Sequence, residues 1–400
     1  ESGSPSVGMG NGHSTELHHQ SQSLSPPLFT GLTEARFMQS LTAMFDALDD
    51  ELQEITKPLS ELDGDERRVL GSEEAAAQLG QAWEANSHAL HALLPRDPIA
   101  VVALPAPGDD ANSTSHLAPS DSVTSLPYGT GGQVLAHLAR DWSDAGATAR
   151  RKAHRPVLRL VSRLAPSRIL VPGAGACRLA WEMAAMGHRV EANDASVHML
   201  LAARSLMVWR ESPLRLFPWV RCAAGVLRRS ACLAAAVAPD VGVKSVPHLT
   251  LQAGDFMAMY SPERWPAQLA SWDCIVTCYF LDTLVDAPAV VRRIVALLAP
   301  GGRWINFGPL HWHEPAAGLL RLTYEELLAL LRLRGLHLEV SRGVRAVPYL
   351  EPSRSGVLAS SANSWHDCLF FVARKREEHL EPAEPHGDAY NWTSTPGSKR

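Results

Sequence analysis

Cysteine is scarce and unclustered here: six residues, Cys177, Cys222, Cys232, Cys274, Cys278 and Cys368, are scattered and form no C-x-x-C pair. That argues against a disulfide framework in a chain of 400 residues and reads as reduced thiols of an intracellular protein. Cys274 and Cys278 do not have the spacing of a closed structural zinc site, so no metal is expected. Basic charge is not in excess. Lys and Arg number 37 against 42 Asp and Glu, a net charge of -5 with a pI near 6.4, which leaves no electrostatic footprint for nucleic acid. No uninterrupted apolar run is long enough to span a bilayer, and no charged-then-apolar signal is visible. The numbering starts at Glu1, so nothing follows about what precedes it. Asn112-Ser-Thr and Asn391-Trp-Thr match the glycosylation sequon but read as chance matches. The expected compartment is the cytoplasm, with the nucleus as a second.

The sequence is organised around Arg168-Ile-Leu-Val-Pro-Gly-Ala-Gly175 and the residues up to Met186. Ile169, Leu170 and Val171 form a short apolar run, Gly173 and Gly175 allow a tight turn, and Leu179, Met183 and Met186 recur on one helical face. Strand, glycine turn and helix in that order suit a nucleotide-like ligand held beyond the carboxyl end of a parallel strand. His188-Arg-Val-Glu-Ala-Asn-Asp194 reads as a second strand whose terminal Asp194 can accept hydrogen bonds from ribose hydroxyls. Both a nicotinamide dinucleotide and S-adenosylmethionine meet that need, but Arg178 occupies the third glycine position of G-x-G-x-x-G, which disfavours the dinucleotide.

Upstream, residues 1–30 lack periodicity and read as disordered. Residues 31–164 read as a helical region. Phe37, Leu41, Met44, Phe45, Leu48 and Leu52 mark one amphipathic helix, and Leu79, Trp83, Leu90 and Leu94 a second. A Pro-, Asp- and Ser-rich loop or insertion at 95–127 follows. Gly131 to Leu164 is helical again, with Val134, Leu135, Leu138 and Trp142 on one face. His137, Arg140 and Asp141 lie on this segment three and four apart, a pattern also compatible with a solvated helix face.

Downstream, Leu249 to Phe256 reads as a third strand ending in Asp255-Phe256, a pair suited to an adenine amine and ring face. Trp272 to Cys278 reads as a fourth strand followed by Tyr279, Phe280, Leu281 and Asp282. Ala287 to Leu298 is a helix, and Ala299-Pro-Gly-Gly turns into a fifth strand. Thr323 and Glu326 form a capping box for another helix. Leu336–Val340 and Cys368–Val372 complete a seven-stranded α/β sheet, with Tyr349 to Ser364 between them as a lid. One α/β domain is expected over 165–375 and a disordered tail over 376–400.

This succession resembles the class I S-adenosylmethionine-dependent methyltransferases, whose sheet is Rossmann-like. More narrowly, Arg140-Asp-Trp-Ser143, Val171-Pro-Gly-Ala-Gly175, Arg178-Leu-Ala-Trp-Glu182, Phe217-Pro-Trp219, Ala253-Gly-Asp-Phe256, Trp272-Asp-Cys274, Asp282-Thr283, Trp304-Ile-Asn306 and Gly308-Pro-Leu310 resemble the carnosine N-methyltransferase family. The resemblance covers about Gln133 to Lys375. It implies methyl transfer from S-adenosylmethionine to an imidazole nitrogen of carnosine, giving anserine, or to a protein histidine. It also implies a cofactor site of His137, Arg140, Gly173, Gly175, Asp194, Asp255, Phe256 and Cys278. Asp282 and His313 would be catalytic and meet the substrate, with Tyr349 and His366 beside them. The aromatics Trp209, Phe217 and Trp219, between the second and third strands, fit a core reading, and Phe217-Pro-Trp219 is expected to help roof the site. This sequence differs in having His137 where the family has glutamine, Asp194 where it has glutamate, and Trp365-His366 where it has tyrosines of the peptide-binding wall. A non-catalytic cofactor-binding protein of the same fold is the alternative of a different class. The expected partner is a small histidine-containing peptide or a protein histidine, without nucleic acid or membrane, and a homodimer is the assembly to test.

Overall fold

The computed structural model describes residues 34–94, 131–207, 212–220, 228–243, 246–284, 286–312, 320–349, 365–377 and 392–393. The first helices are α1 (Glu34–Ser60), α2 (Gly64–Leu70) and α3 (Ser72–Leu93). Leu41, Met44 and Leu48 of α1 and Leu79, Trp83 and Leu90 of α3 are buried, as their periodicity requires. Trp83 Nε1 donates to Leu48 O at 2.7 Å, fixing the two helices together. The side chain of Phe37 and the insertion at 95–127 lie outside the described residues.

Then come α4 (Gly131–Trp142) and α5 (Ala147–Val161), separated by a short 3₁₀ turn at Asp144–Gly146. The sheet opens with β1 (Arg168–Pro172), α6 (Arg178–Ala185), β2 (Arg189–Asp194) and α7 (Val197–Met207). One expectation fails at α6. Met186 lies just past its last residue and is 46% exposed, because the chain turns there through Gly187 instead of continuing the apolar face.

The region between the second and third sheet strands holds β3 (Leu214–Leu216), α8 (Arg229–Cys232) and β4 (Ala236–Ala238). β3 and β4 form an antiparallel pair of their own. Three-residue strands are too short to carry a periodic signal, so the sequence does not reveal them. Phe217 just beyond β3 is clamped to α3 through its backbone: its N–H donates to Asn86 Oδ1 at 2.7 Å and its carbonyl accepts from Asn86 Nδ2 at 3.0 Å. Trp219 is buried in the same core, and Trp209 lies outside the described residues.

The remaining elements are β5 (Leu249–Ala253), α9 (Phe256–Met259), β6 (Trp272–Cys278), α10 (Ala287–Leu297), β7 (Leu298–Gly308), α11 (Tyr324–Leu333), β8 (Leu336–Pro348), β9 (Trp365–Lys375) and β10 (Trp392–Thr393). The capping box at Thr323 and Glu326 opens α11 as the sequence predicts. The sheet order is β10-β8-β9-β7-β6-β1-β2-β5. β5, β2, β1, β6 and β7 run parallel, and β9 is antiparallel to both β7 and β8. Seven strands match expectation; the eighth, β10, is a two-residue addition parallel to β8.

Alternate residues face opposite layers. Ile169, Val171, Cys274, Val276, Ile305 and Phe307 join the core shared with α1 and α3 to α7, while Leu170, Ile275, Trp304 and Phe371 join the core under α10 and α11. The chain leaves β1 toward β2 and β5, then returns to the other side of β1 through β6 and β7. The reversal places a crevice beyond the carboxyl ends of β1 and β6, where open α/β sheets bind ligands. Among the described residues, no helix is long and apolar enough to cross a membrane.

A polar chain runs through the centre of the sheet. Trp304 Nε1 donates to Thr277 Oγ1 at 2.8 Å, Thr277 Oγ1 donates to Asn306 Oδ1 at 2.8 Å, and Asn306 Nδ2 donates to Leu369 O at 3.1 Å. Thr277→Val keeps the shape but strands the indole N–H and the amide oxygen. It is expected to lower stability by about 2–4 kcal/mol, measured by urea denaturation.

Candidate active site

The glycine turn forms one wall of the crevice. Gly173 and Gly175 have φ of +62° and +54°. A Cβ on Gly173 would lie 2.2 Å from the Phe280 ring, and one on Gly175 would lie 3.1 Å from His137 Nδ1, so both positions need glycine for conformation and for space. Gly175 N–H donates to Asp194 Oδ2 and Ser196 N–H to Asp194 Oδ1, both at 2.8 Å. Asp194 therefore ties the loop after β1 to the end of β2. Burial pushes its pKa up; the two amide donors and Arg140 oppose that shift without cancelling it.

α4 forms the second wall. Arg140 Nε donates to Asp141 Oδ1 at 2.7 Å and Nη2 to Asp141 Oδ2 at 2.9 Å, a bidentate pair whose side chains are 11% and 4% exposed. This corrects the solvated-face reading of His137, Arg140 and Asp141: the tertiary fold covers that face. Burial alone would lower the Arg140 pKa, but the Asp141 charge outweighs it and Arg140 stays firmly protonated. Burial would likewise raise Asp141, yet Arg140 holds it down at about 2. Burial and the Arg140 charge lower His137 to about 3, so this imidazole is neutral. His137 Nδ1 lies 3.3 Å from Arg140 Nη2, and its Nε2 lies 3.4 Å from the Tyr349 hydroxyl. The Tyr349 ring lies 4.5 Å from the Arg140 guanidinium carbon.

The third wall follows β6. Burial pushes the Cys278 thiol up to about 12, making it a neutral lining group and not a nucleophile. Tyr279 has φ of +55° and donates its N–H to Phe307 O at 2.9 Å. A non-glycine residue in that conformation is uncommon and occurs preferentially at functional sites. Asp282, only 2% exposed, lies in a 3₁₀ turn at Leu281–Thr283, and its Oδ2 accepts the His311 N–H at 2.9 Å. The His311 and His366 rings are 4.8 Å apart, and Tyr349 lies 5.5 Å from His366.

The expected residues thus divide unevenly. His137, Arg140, Gly175, Tyr349 and His366 form a continuous series of contacts, and Asp282 joins it through His311. Asp255 is exposed and caps α9, accepting the Ala258 N–H at 2.8 Å. Phe256 is buried against Tyr260 and Phe280. His313 lies outside the described residues, as does the expected lid beyond Tyr349. Sequence reasoning missed Tyr279 and the place of His311. Their nearness to Cys278 and to the end of β7 was visible, but a positive φ and a cross-strand ring contact are not local signals.

The crevice suits S-adenosylmethionine. Arg140 Nη1 is buried and has no hydrogen-bond partner among the described residues, although the guanidinium is charged. A donor of that kind fits the carboxylate of a methionine moiety. Asp194 at the end of β2 offers carboxylate acceptors of the kind that ribose hydroxyls require.

The family model for carnosine N-methyltransferase matches residues 129–377. The chain is 31% identical to the carnosine N-methyltransferase of Mus musculus over 284 residues, covering 67% of each chain. The same figures hold for that of Rattus norvegicus. With that of Drosophila melanogaster it is 32% identical over 277 residues, 63% of this chain and 58% of the relative.

Arg140→Lys keeps the charge but loses the planar fork. It is expected to weaken S-adenosylhomocysteine binding by about tenfold or more in calorimetric titration, with the circular dichroism unchanged. His137 generates a pH effect. Between pH 6.5 and about 3 the unfolded chain binds a proton that folded His137 refuses, so acidification across that window costs stability, while above 6.5 the residue contributes nothing. His137→Gln is expected to shrink the loss of urea midpoint between about pH 7.5 and about pH 5 relative to the parent.

Proposed function

The chain belongs to the carnosine N-methyltransferase family, and on that premise we propose that it methylates an imidazole nitrogen of a histidine-containing dipeptide, converting carnosine to anserine. The observation that carries this reading is the buried Asp282 carboxylate in the 3₁₀ turn that follows β6. S-adenosylmethionine supplies a methyl group already activated on a sulfonium. The protein's task is then to align the acceptor and choose its lone pair.

Neutral imidazole has one N–H and one bare nitrogen. Asp282 accepts the N–H, which turns the bare nitrogen toward the methyl group. As the new N–C bond forms and the sulfur–carbon bond breaks, the ring becomes cationic, and the same carboxylate stabilises it or takes its proton. His311 donates its backbone N–H to Asp282, so the carboxylate has a defined orientation before substrate arrives. His137 and Cys278, both uncharged at neutral pH, line the crevice without offering a competing charge.

The test is methyl transfer from radiolabelled S-adenosylmethionine to carnosine, homocarnosine, free histidine and a histidine-containing protein extract in parallel. Label on the dipeptides is the expected result. Label on protein alone would move the acceptor to a macromolecule, and cofactor binding without label would leave a binding protein. Asp282→Ala is expected to reduce turnover by about 100-fold or more while leaving S-adenosylhomocysteine affinity within a few-fold. Loss of cofactor binding in that variant would displace Asp282 from the role given to it.

A further inference from the structure

We propose that the outer face of α5 is a docking site for an acidic amphipathic helix of a partner protein. α5 carries Arg150, Arg151, Lys152, Arg155 and Arg159 and no Asp or Glu, within a chain whose net charge is -5. Two of these cations are engaged by the fold itself. Arg150 pairs with Asp240, and Lys152 donates to Ala346 O at 3.0 Å beside the Trp365 ring. Arg151, Arg155 and Arg159 remain exposed, and Arg163 continues the row just past the end of the helix. Spaced four residues apart, the helical arginines share one face and repeat about every 6 Å along the axis. Arg151 donates to Thr148 Oγ1 at 3.0 Å, and none of the four arginines pairs with a carboxylate among the described residues. Like charges four apart on a helix repel, and an anionic partner relieves that repulsion.

The row borders a groove of about 470 Å³ between α5 and the end of α6, to which Leu158 and Met186 contribute apolar surface. Met186 is 46% exposed, so an apolar group stands open to solvent beside the cations. Among the described residues the groove has one carboxylate, Glu182, which accepts from Arg178 Nε at 2.8 Å and therefore does not cancel the arginines. These features select the occupant. Sites for single-stranded nucleic acid combine cations with aromatic rings on which bases stack, and no Phe, Tyr or Trp among the described residues lines this groove. A helix with Glu or Asp at every fourth position presents its carboxylates at the same repeat of about 6 Å. An apolar residue on the adjoining stripe of that helix meets Met186, whose flexible thioether adapts to the contact.

The probe is a fluorescein-labelled helical peptide of alanine, glutamate and leucine, with glutamates four apart and leucines on the adjoining stripe, titrated against the full chain by fluorescence anisotropy. Saturable binding is expected at about 50 mM salt, weakening by about tenfold at about 300 mM as the exposed charges are screened. Arg155→Glu combined with Arg159→Glu should lower affinity by about tenfold or more, whereas lysine at both positions should keep it within about threefold. Met186→Ser should weaken binding by about threefold to tenfold with the salt dependence unchanged, because it removes apolar contact alone. S-adenosylhomocysteine binding should be the same in all three variants, which checks that each is folded. Absence of peptide binding overturns the proposal, as does binding undiminished by the double reversal or by Met186→Ser. Tighter binding of a single-stranded RNA of equal charge, or of anionic lipid vesicles, overturns it in favour of that class. Self-association in sedimentation that the double reversal abolishes overturns it by assigning the row to a second copy of the chain.

Discussion

The buried ion pair between Arg140 and Asp141 is the constraint on which the site depends. Two charges withdrawn from water are stable together only if their geometry and remaining hydrogen bonds are satisfied, and removing one partner of such a pair costs about 3–5 kcal/mol. Here the fork is complete on the Asp141 side and open at Nη1. That open donor is buried and charged, so the pair that holds α4 in place also leaves a group suited to an anionic ligand.

The orientation of α4 is secured by its surroundings. Arg150 Nη1 donates to Arg140 O at 2.5 Å, and Arg178 Nη1 donates to Asp240 Oδ1 at 2.8 Å. Asp240 also pairs with Arg150, and its backbone N–H donates to Trp142 O at 2.7 Å. Trp142 Nε1 in turn donates to Ala176 O at 2.7 Å, inside the glycine loop. The last turn of α4, the loop after β1 and the segment after β4 are thereby joined by hydrogen bonds. Arg178, the residue that breaks the dinucleotide glycine pattern, has a positive use here: it lies over the Trp142 and Trp181 rings and pairs with Glu182 and Asp240.

The two sides of the crevice use different chemistry. On the β1 and β2 side, Asp194 is engaged by backbone amides and fixes a loop whose shape glycine makes possible. On the β6 and β7 side, three aromatic rings and an imidazole from four strand ends, Tyr279, Phe307, Tyr349 and His366, pack edge to face. The first side suits a polar, charged cofactor and the second a planar ring with a polar tip, the division an imidazole methyltransferase needs.

Local sequence determined the element order, the strand ends bearing Asp194 and Asp282, the glycine turn and the capping box at Thr323, because periodicity, φ preference and capping act within a few residues. The motif strings from Arg140 to Gly308 also determined the family. Tertiary structure decided the rest. It made Asp141 a buried partner of Arg140, placed Met186 in solvent, folded β3 and β4 into a separate pair, and brought His311 against His366 across β7 and β9. Each outcome depends on what another segment covers or approaches. Burial and cross-strand contact are properties of the packed chain, and a local stretch of sequence does not contain them.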